Sequence, residues 1–600
     1  MYYRPGSLSD GHEAGRERCG EVTARMKAKG REATEDRFLP VDRAGMDARG
    51  WDACDAVIVT GDAYVDHPSF GAAIIGRHLE SLGYRVGILA QPDWSRPESF
   101  LALGVPRLFT GITSGAMDSM VNHYTSFNRI RSDDAYTPGG RAGARPDRAV
   151  IVYANAVRRV MPGIPIVLGG IEASLRRLSH YDFWSDKIRR SVLLDSRADI
   201  LVYGMGERQI GEIAARLSEG RDLDGISGTA VWAGASGATP PPGAVVLPSH
   251  EDVVASPRAF MEMTLAVEAE ASPWCGRPLV QMSDTRMVLV QPPSPPLSRE
   301  EMDVLYSLPF TRMPHPSYRE PVPAWEMIRD SVTAVRGCAG GCSFCALGLH
   351  QGRHIVSRSE ESVLAEVRRI AAQSSFRGTI SDIGGPTANM YGLRCGNPEA
   401  EKNCRRPSCL FPSVCSNFPT DQTAYADLLD AAGEVPGVGR VLVGSGLRLD
   451  LAALDPRFVE RLARGHVGGH LKVAPEHFSD RVLKLMRKPG VATWRRFLDL
   501  FEKASAGREQ YVLPYVMAAF PGCKMEDMEE AASELRRCRL SPRQVQTFLP
   551  TPMTLATCMY ATGLGPGFES LEVTKRPSEK RRQLDVILGL SGMSRGDPGT

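Results

Sequence analysis

The stretch Cys338-Ala-Gly-Gly-Cys342-Ser-Phe-Cys345 constrains this chain more than any other. It follows the β-rich run Asp330-Ser-Val-Thr-Ala-Val-Arg336, so it predicts a strand whose exit loop gathers three thiols around paired glycines. Thiolates are soft ligands and select zinc, copper or iron–sulfur clusters over hard cations. Tetrahedral zinc usually takes four ligands, and no fourth follows at finger spacing. Three cysteines suit instead a 4Fe–4S cluster with one iron left open to a non-protein ligand. A zinc knuckle, or three unrelated cysteines, is the plainer alternative.

Seven of the thirteen cysteines lie between Cys338 and Cys415, which reads as local metal chemistry rather than a disulfide scaffold. Thiols that ligate must stay reduced, and this points to the cytoplasm. The opening residues are too polar for a signal peptide or anchor, and no run of 18 apolar residues occurs. A net charge of +2 gives no argument for a general nucleic-acid or membrane binder. At about 100–200 residues per domain, 600 residues imply two to four domains.

Residues 1–36 read as a disordered extension. Residues 37–207 read as a doubly wound, Rossmann-like α/β domain, with strands at Asp55–Gly61, Tyr84–Ala90, Arg107–Gly111, Arg148–Tyr153, Ile166–Leu168 and Ile200–Tyr203. Continuous apolar strands alternating with helical segments predict a parallel sheet covered on both faces. The layout is similar to the cobalamin-binding domains attached to several radical enzymes, which use an Asp-x-His-x-x-Gly loop. Here Asp66 and His67 are adjacent, so the domain is read as lacking cobalamin. Residues 208–325, with proline clusters at 240–242 and 292–296, read as a linker with small elements.

A clearer β/α series occupies residues 326–572. Strands are expected near 331–336, 378–382, 439–444, 469–474, 511–518 and 543–549, with helices between them. This predicts a partial (β/α)6 TIM-type barrel whose functional groups come from loops after the strands. Residues 394–416 interrupt it with Cys395, Cys404, Cys409 and Cys415, a second group suited to structural zinc or an auxiliary iron–sulfur cluster. Arg394, Arg405 and Arg406 read as a solvated basic loop, and nucleic acid is not indicated. Residues 573–600 form a tail that is flexible or a short helix.

The C-x3-C-x2-C spacing, with Phe344 before the last cysteine, resembles the signature of radical S-adenosylmethionine enzymes. Tyr136-Thr-Pro-Gly, His180-Tyr-Asp-Phe-Trp184, Val473-Ala-Pro-Glu476-His477, Cys404-Arg-Arg-Pro-Ser-Cys409 and Phe548-Leu-Pro-Thr-Pro-Met553 narrow the likeness to YgiQ-type members. The resemblance implies that Cys338, Cys342 and Cys345 hold a 4Fe–4S cluster whose open iron binds S-adenosylmethionine. Reductive cleavage would then yield a 5′-deoxyadenosyl radical. It places Phe344 by the adenine and Gly384 and Gly385 at the methionine amino group. It also implies a low-potential electron donor such as flavodoxin or ferredoxin.

On their own chemistry, Ser445 and Arg448 offer polar contacts near a ribose, and Glu476 and His477 a polar pair at the barrel top. Arg448 in a surface ion pair and Glu476 as a strand-end cap are the duller readings. The expected activity is radical abstraction of hydrogen from an unidentified substrate. Methylthiolation of RNA or protein, and a non-enzymatic redox sensor or scaffold, are the alternatives.

Overall fold

Val57, Ile58 and Val59 are all buried. The strand that carries them, β1 (Ala56–Thr60), is covered on both faces, as a continuous apolar run in a parallel sheet should be. In this computed structural model, which describes residues 37–233, 239–540 and 544–589, β1 pairs in parallel with β2 (Val86–Ala90) and β3 (Phe109–Thr113). Strands β4 (Ile166–Leu168) and β5 (Ile200–Val202) continue the parallel series. The order β2-β1-β3-β4-β5 is that of a doubly wound fold. The extension expected over 1–36 lies outside the described residues.

Two expectations for this half need correction. Arg148–Tyr153 is no strand but enters a helix, Ala149–Val160. Its buried residues Ala149, Val150, Tyr153, Ala154 and Val157 follow a helical period, which outweighs the β-branched run Val-Ile-Val. Residues 208–325 are likewise more than a linker. They supply β6 (Thr229–Ala233), β7 (Val245–Val246), β8 (Leu279–Ser283) and β9 (Arg286–Val290). These extend the same sheet in the order β5-β6-β9-β8-β7. The pairs β5–β6, β6–β9 and β9–β8 are antiparallel. Strands separated by helices and proline-rich connections carry no signal that they join one sheet.

Open sheets of this order take ligands where the strand order reverses, here between β1 and β3. Protein groups occupy part of that crevice, and a cavity of about 120 Å³ remains beside Ile58 and Gly111–Thr113. Arg145 Nη2 lies 2.9 Å from Asp62 and 3.1 Å from Asp134, and its Nη1 donates to the Ser114 carbonyl at 2.6 Å. A Cβ on Gly61 would stand 2.3 Å from that same carbonyl oxygen. Asp66 and His67 are also used locally. Asp66 pairs with Arg77 at 2.6 Å and accepts from the Thr311 amide at 2.9 Å, while His67 Nδ1 accepts from the Ser69 amide. Removing Arg145 would strand two buried carboxylates. Arg145→Met is therefore expected to cost about 3–5 kcal/mol, read as an earlier denaturant midpoint.

The second half places six parallel strand positions side by side in chain order. Ser331–Thr333 pairs with Asp382–Gly384, and Thr379–Ile380 with Arg440–Val441. A bridge from Leu447 to Val473 leads to His470–Glu476, then Tyr511–Ala518 and Gln544–Thr547. Among the described residues no pairing joins the first of these to the last, so the barrel stays open on one side. Leu471 and Val473 are buried while Lys472 and Ala474 are not, so alternate residues lie on opposite faces of the strand.

The halves are locked together at several points. Tyr181 and Phe183 each pack on Tyr560 with ring centroids 6.1 Å apart, and Lys580 Nζ lies 4.9 Å from the Phe183 ring. The segment His180–Arg190 thus serves as interdomain packing. Lys580 belongs to the terminal helix Pro577–Leu588, which is the described part of the expected tail.

Candidate active site at the thiol loop

Val335–Arg336 pairs antiparallel with Val356–Ser357, and the chain leaves this ladder through Gly337. Gly337 has φ +80°, and a Cβ there would stand 2.0 Å from the His354 carbonyl oxygen. Gly341 has φ +61° and the same constraint, with Pro407 O at 2.3 Å. Only glycine fits both places. Between and beyond them the three thiols converge. The Cys345 thiol is pushed up to about 12, first by burial and then by Cys342 and Cys338 facing it.

A cation is built in beside the loop. Arg448 Nη1 donates to Cys342 Sγ at 3.2 Å. Asp450 holds that guanidinium with two bonds, at 3.0 Å to Nε and 2.5 Å to Nη2. Both residues are buried, so the surface ion pair expected for Arg448 is instead an interior one. Thr387 Oγ1 lies 3.6 Å from Cys338 Sγ. Neither Thr387 nor Asp450 was singled out from sequence; the two-residue spacing of Arg448 and Asp450 was the available signal for the second.

The glycines after the second barrel strand permit close approach. A Cβ on Gly385 would lie 2.1 Å from Val335 O, and one on Gly384 2.6 Å from Ser445 Oγ. Asp382 accepts from the Gly444 amide at 2.8 Å, the Ser445 amide at 3.0 Å and the Ser445 hydroxyl. Burial pushes its carboxyl up, against the pull of those bonds. Asp382 therefore fixes the loop that presents Ser445.

Glu476 ends its strand with φ +69°. Burial raises its carboxyl, opposed by Lys488 and Arg448. His477 parts company with it: Nδ1 accepts from the Ser479 amide at 3.0 Å and Nε2 faces Met528 Sδ at 3.4 Å. The expected polar pair is split: Glu476 feels Lys488 and Arg448, and His477 lies in the core. Phe344 packs edge-to-face on Phe520 with centroids 6.2 Å apart.

The cysteine-rich insertion forms a wall of the loop. The Cys409 amide donates to Ala339 O at 2.9 Å, and Ser408 Oγ to Gly340 O at 2.8 Å. Cys409 is pushed up to about 11 by burial, with Cys404, Cys415 and Cys395 adding to the rise. Arg353 donates to Cys404 Sγ at 3.5 Å and to Arg406 O at 2.6 Å. Arg405 pairs with Glu270 at 2.8 Å rather than standing free in solvent. Among the described residues, no three His, Cys, Asp or Glu side chains close together as ligands of one metal ion. Over the thiol loop lies a cavity of about 200 Å³, walled by Cys338, Cys342 and Cys345 on one side and Tyr203–Met205, after β5, on the other.

Residues 38–331 match the Radical SAM N-terminal family and residues 332–535 the Radical SAM superfamily. A UPF0313 protein of Geobacter sulfurreducens is 53% identical over 557 residues, 92% of this chain and 92% of that protein. The chain belongs to the UPF0313 family. UPF0313 protein YgiQ of Escherichia coli K12 is 44% identical, covering 92% of this chain and 83% of its own length. This UPF0313 chain is a radical S-adenosylmethionine enzyme, a class that uses a 4Fe–4S cluster and S-adenosylmethionine. Among solved structures, the radical S-adenosylmethionine methyltransferase TsrM of Kitasatospora setae, with tryptophan and a cofactor analogue bound, is 17% identical. It aligns with a TM-score of 0.49 over 83% of this chain and 75% of its own. No helix among the described residues is long and apolar enough to cross a membrane.

Proposed function

We propose that Cys338, Cys342 and Cys345 hold the 4Fe–4S cluster and that this chain cleaves S-adenosylmethionine there to act on a C–H bond of its substrate. The observation that carries this is the convergence of three thiols at the exit of the first barrel strand, with a buried arginine donating to one of them. The donor set fits the group. Three thiolates that face one another need positive charge to bind, and soft sulfur suits iron. When bound, the cluster supplies the electron that breaks the sulfonium into methionine and a 5′-deoxyadenosyl radical.

The chain's own residues bind, orient and shield. Arg448, fixed by Asp450, holds Cys342 by a charge-assisted bond and offsets its thiolate. Gly384 and Gly385 leave room for the methionine end, Ser445 and Glu476 offer polar contacts at the strand ends, and Phe344 supports the adenine. The cavity walls shield part of the loop from bulk water. Cys395, Cys404, Cys409 and Cys415 would take an auxiliary cluster or zinc by drawing together. A flavodoxin- or ferredoxin-type donor in the cytoplasm would supply electrons.

The test is anaerobic reconstitution followed by reduction, with and without S-adenosylmethionine. The expected result is a cofactor-dependent change in the electron paramagnetic resonance spectrum and formation of 5′-deoxyadenosine. A loaded, reduced protein whose spectrum ignores the cofactor rejects the reading. Arg448→Met is expected to lower iron retention or cleavage by about 10–100-fold, the usual cost of losing a group that supports a metal ligand.

A further inference from the structure

We propose that the cavity over the thiol loop receives an oxyanion of the substrate, a carboxylate or phosphate, and that Arg177 is its anchor. This names the substrate class of the site read above; it rests on that reading for the reaction, but its binding chemistry is independent. Arg177 lines the cavity and is only 6% exposed. Its Nη1 donates to Ser174 O at 2.6 Å, and its guanidinium carbon stands 4.5 Å from the Tyr203 ring centroid. Its buried Nε has no hydrogen-bond partner, and among the described residues no carboxylate pairs with it. Burial draws it below the ordinary arginine value, with only Tyr203 acting the other way.

Four other arginines of the same cavity show what is missing. Arg336 has Glu207 at 2.6 Å, Arg208 has Glu301, and Arg277 and Arg405 share the single carboxylate of Glu270. Among the described residues Arg353 and Arg406 have no carboxylate either, but neither is buried and both donate to main-chain carbonyls. His350, also on the cavity wall, is pushed down to about 4 by burial and is neutral at pH 7. Arg177 is thus a buried cation without a counter-charge, an arrangement costly unless something supplies one. A guanidinium fork with free N–H groups matches a carboxylate or phosphate better than any other ligand group. The thiols across the cavity are the rival use of its charge, and the experiment must separate the two.

Equilibrium binding of inorganic phosphate and of malonate to the anaerobically reconstituted, unreduced protein makes that separation, since neither reductant nor S-adenosylmethionine is present. The expected result is saturable binding of at least one anion, weakened tenfold or more in Arg177→Met and partly restored in Arg177→Lys. Phosphate binding alone points to a phosphorylated substrate and malonate alone to a carboxylate, each in support. In wild type, the bound anion should also protect Arg177 from phenylglyoxal, read by peptide mass spectrometry; this arm stands if Arg177→Met fails to fold. Binding of neither anion at millimolar concentration overturns the proposal. So does unchanged anion binding in Arg177→Met with loss of iron, which would assign Arg177 to the thiol loop.

Discussion

Cys342→Ala is expected to abolish formation of 5′-deoxyadenosine while leaving the fold in place. Losing a group that merely supports a metal ligand costs about 10–100-fold; losing a ligand should exceed that, leaving only the background of cluster-free protein. Cys342 is the informative position because its Sγ already has a built-in partner, Arg448 at 3.2 Å. Alanine there removes a thiolate and leaves the Arg448–Asp450 pair intact, so no buried charge is stranded. Iron content, the visible spectrum and deoxyadenosine by chromatography check it. Full cleavage by the alanine variant would sink the assignment of the triplet.

Gly337→Ala should fail for a different reason. Its Cβ would meet the His354 carbonyl at 2.0 Å, and the backbone would be held at φ +80°. Left-handed strain and overpacking each cost about 1–3 kcal/mol, and the residue directly precedes Cys338. The expected outcome is a lower thermal midpoint together with poor iron loading. Gly83→Ala is the control: φ is +92°, but nothing lies within 4 Å of the added carbon. It should show strain alone, with iron content unchanged. If both variants load iron equally, the tight packing around Gly337 has no bearing on the loop.

Much of the barrel was legible because its elements are short, regular and punctuated. The helix expected between the first two barrel strands is Glu360–Ala371, capped by Ser359, and the strand expected over 511–518 is Tyr511–Ala518. The triplet and Gly384–Gly385 could be placed at strand exits because glycine and cysteine there carry local meaning. What could not be read depended on which partner lies across space. Arg448 and Asp450 look like surface charges until the barrel buries them. His477 looks like the neighbour of Glu476 until the strand end turns the two apart. The strands of 208–325 lie among proline clusters and pair mostly antiparallel, so they declare no sheet until β5 stands beside them.

The contact between the thiol loop and residues 407–409 also sets a timetable. Ribosomes release about 5–20 residues per second, so Ser408 emerges roughly 3–13 s after Cys345. For that interval the nascent loop has its first wall, from Tyr203–Met205, and lacks its last. Iron–sulfur delivery that acts on the growing chain would find the thiols open on the insertion's side, whereas delivery to finished protein reaches them by way of the cavity.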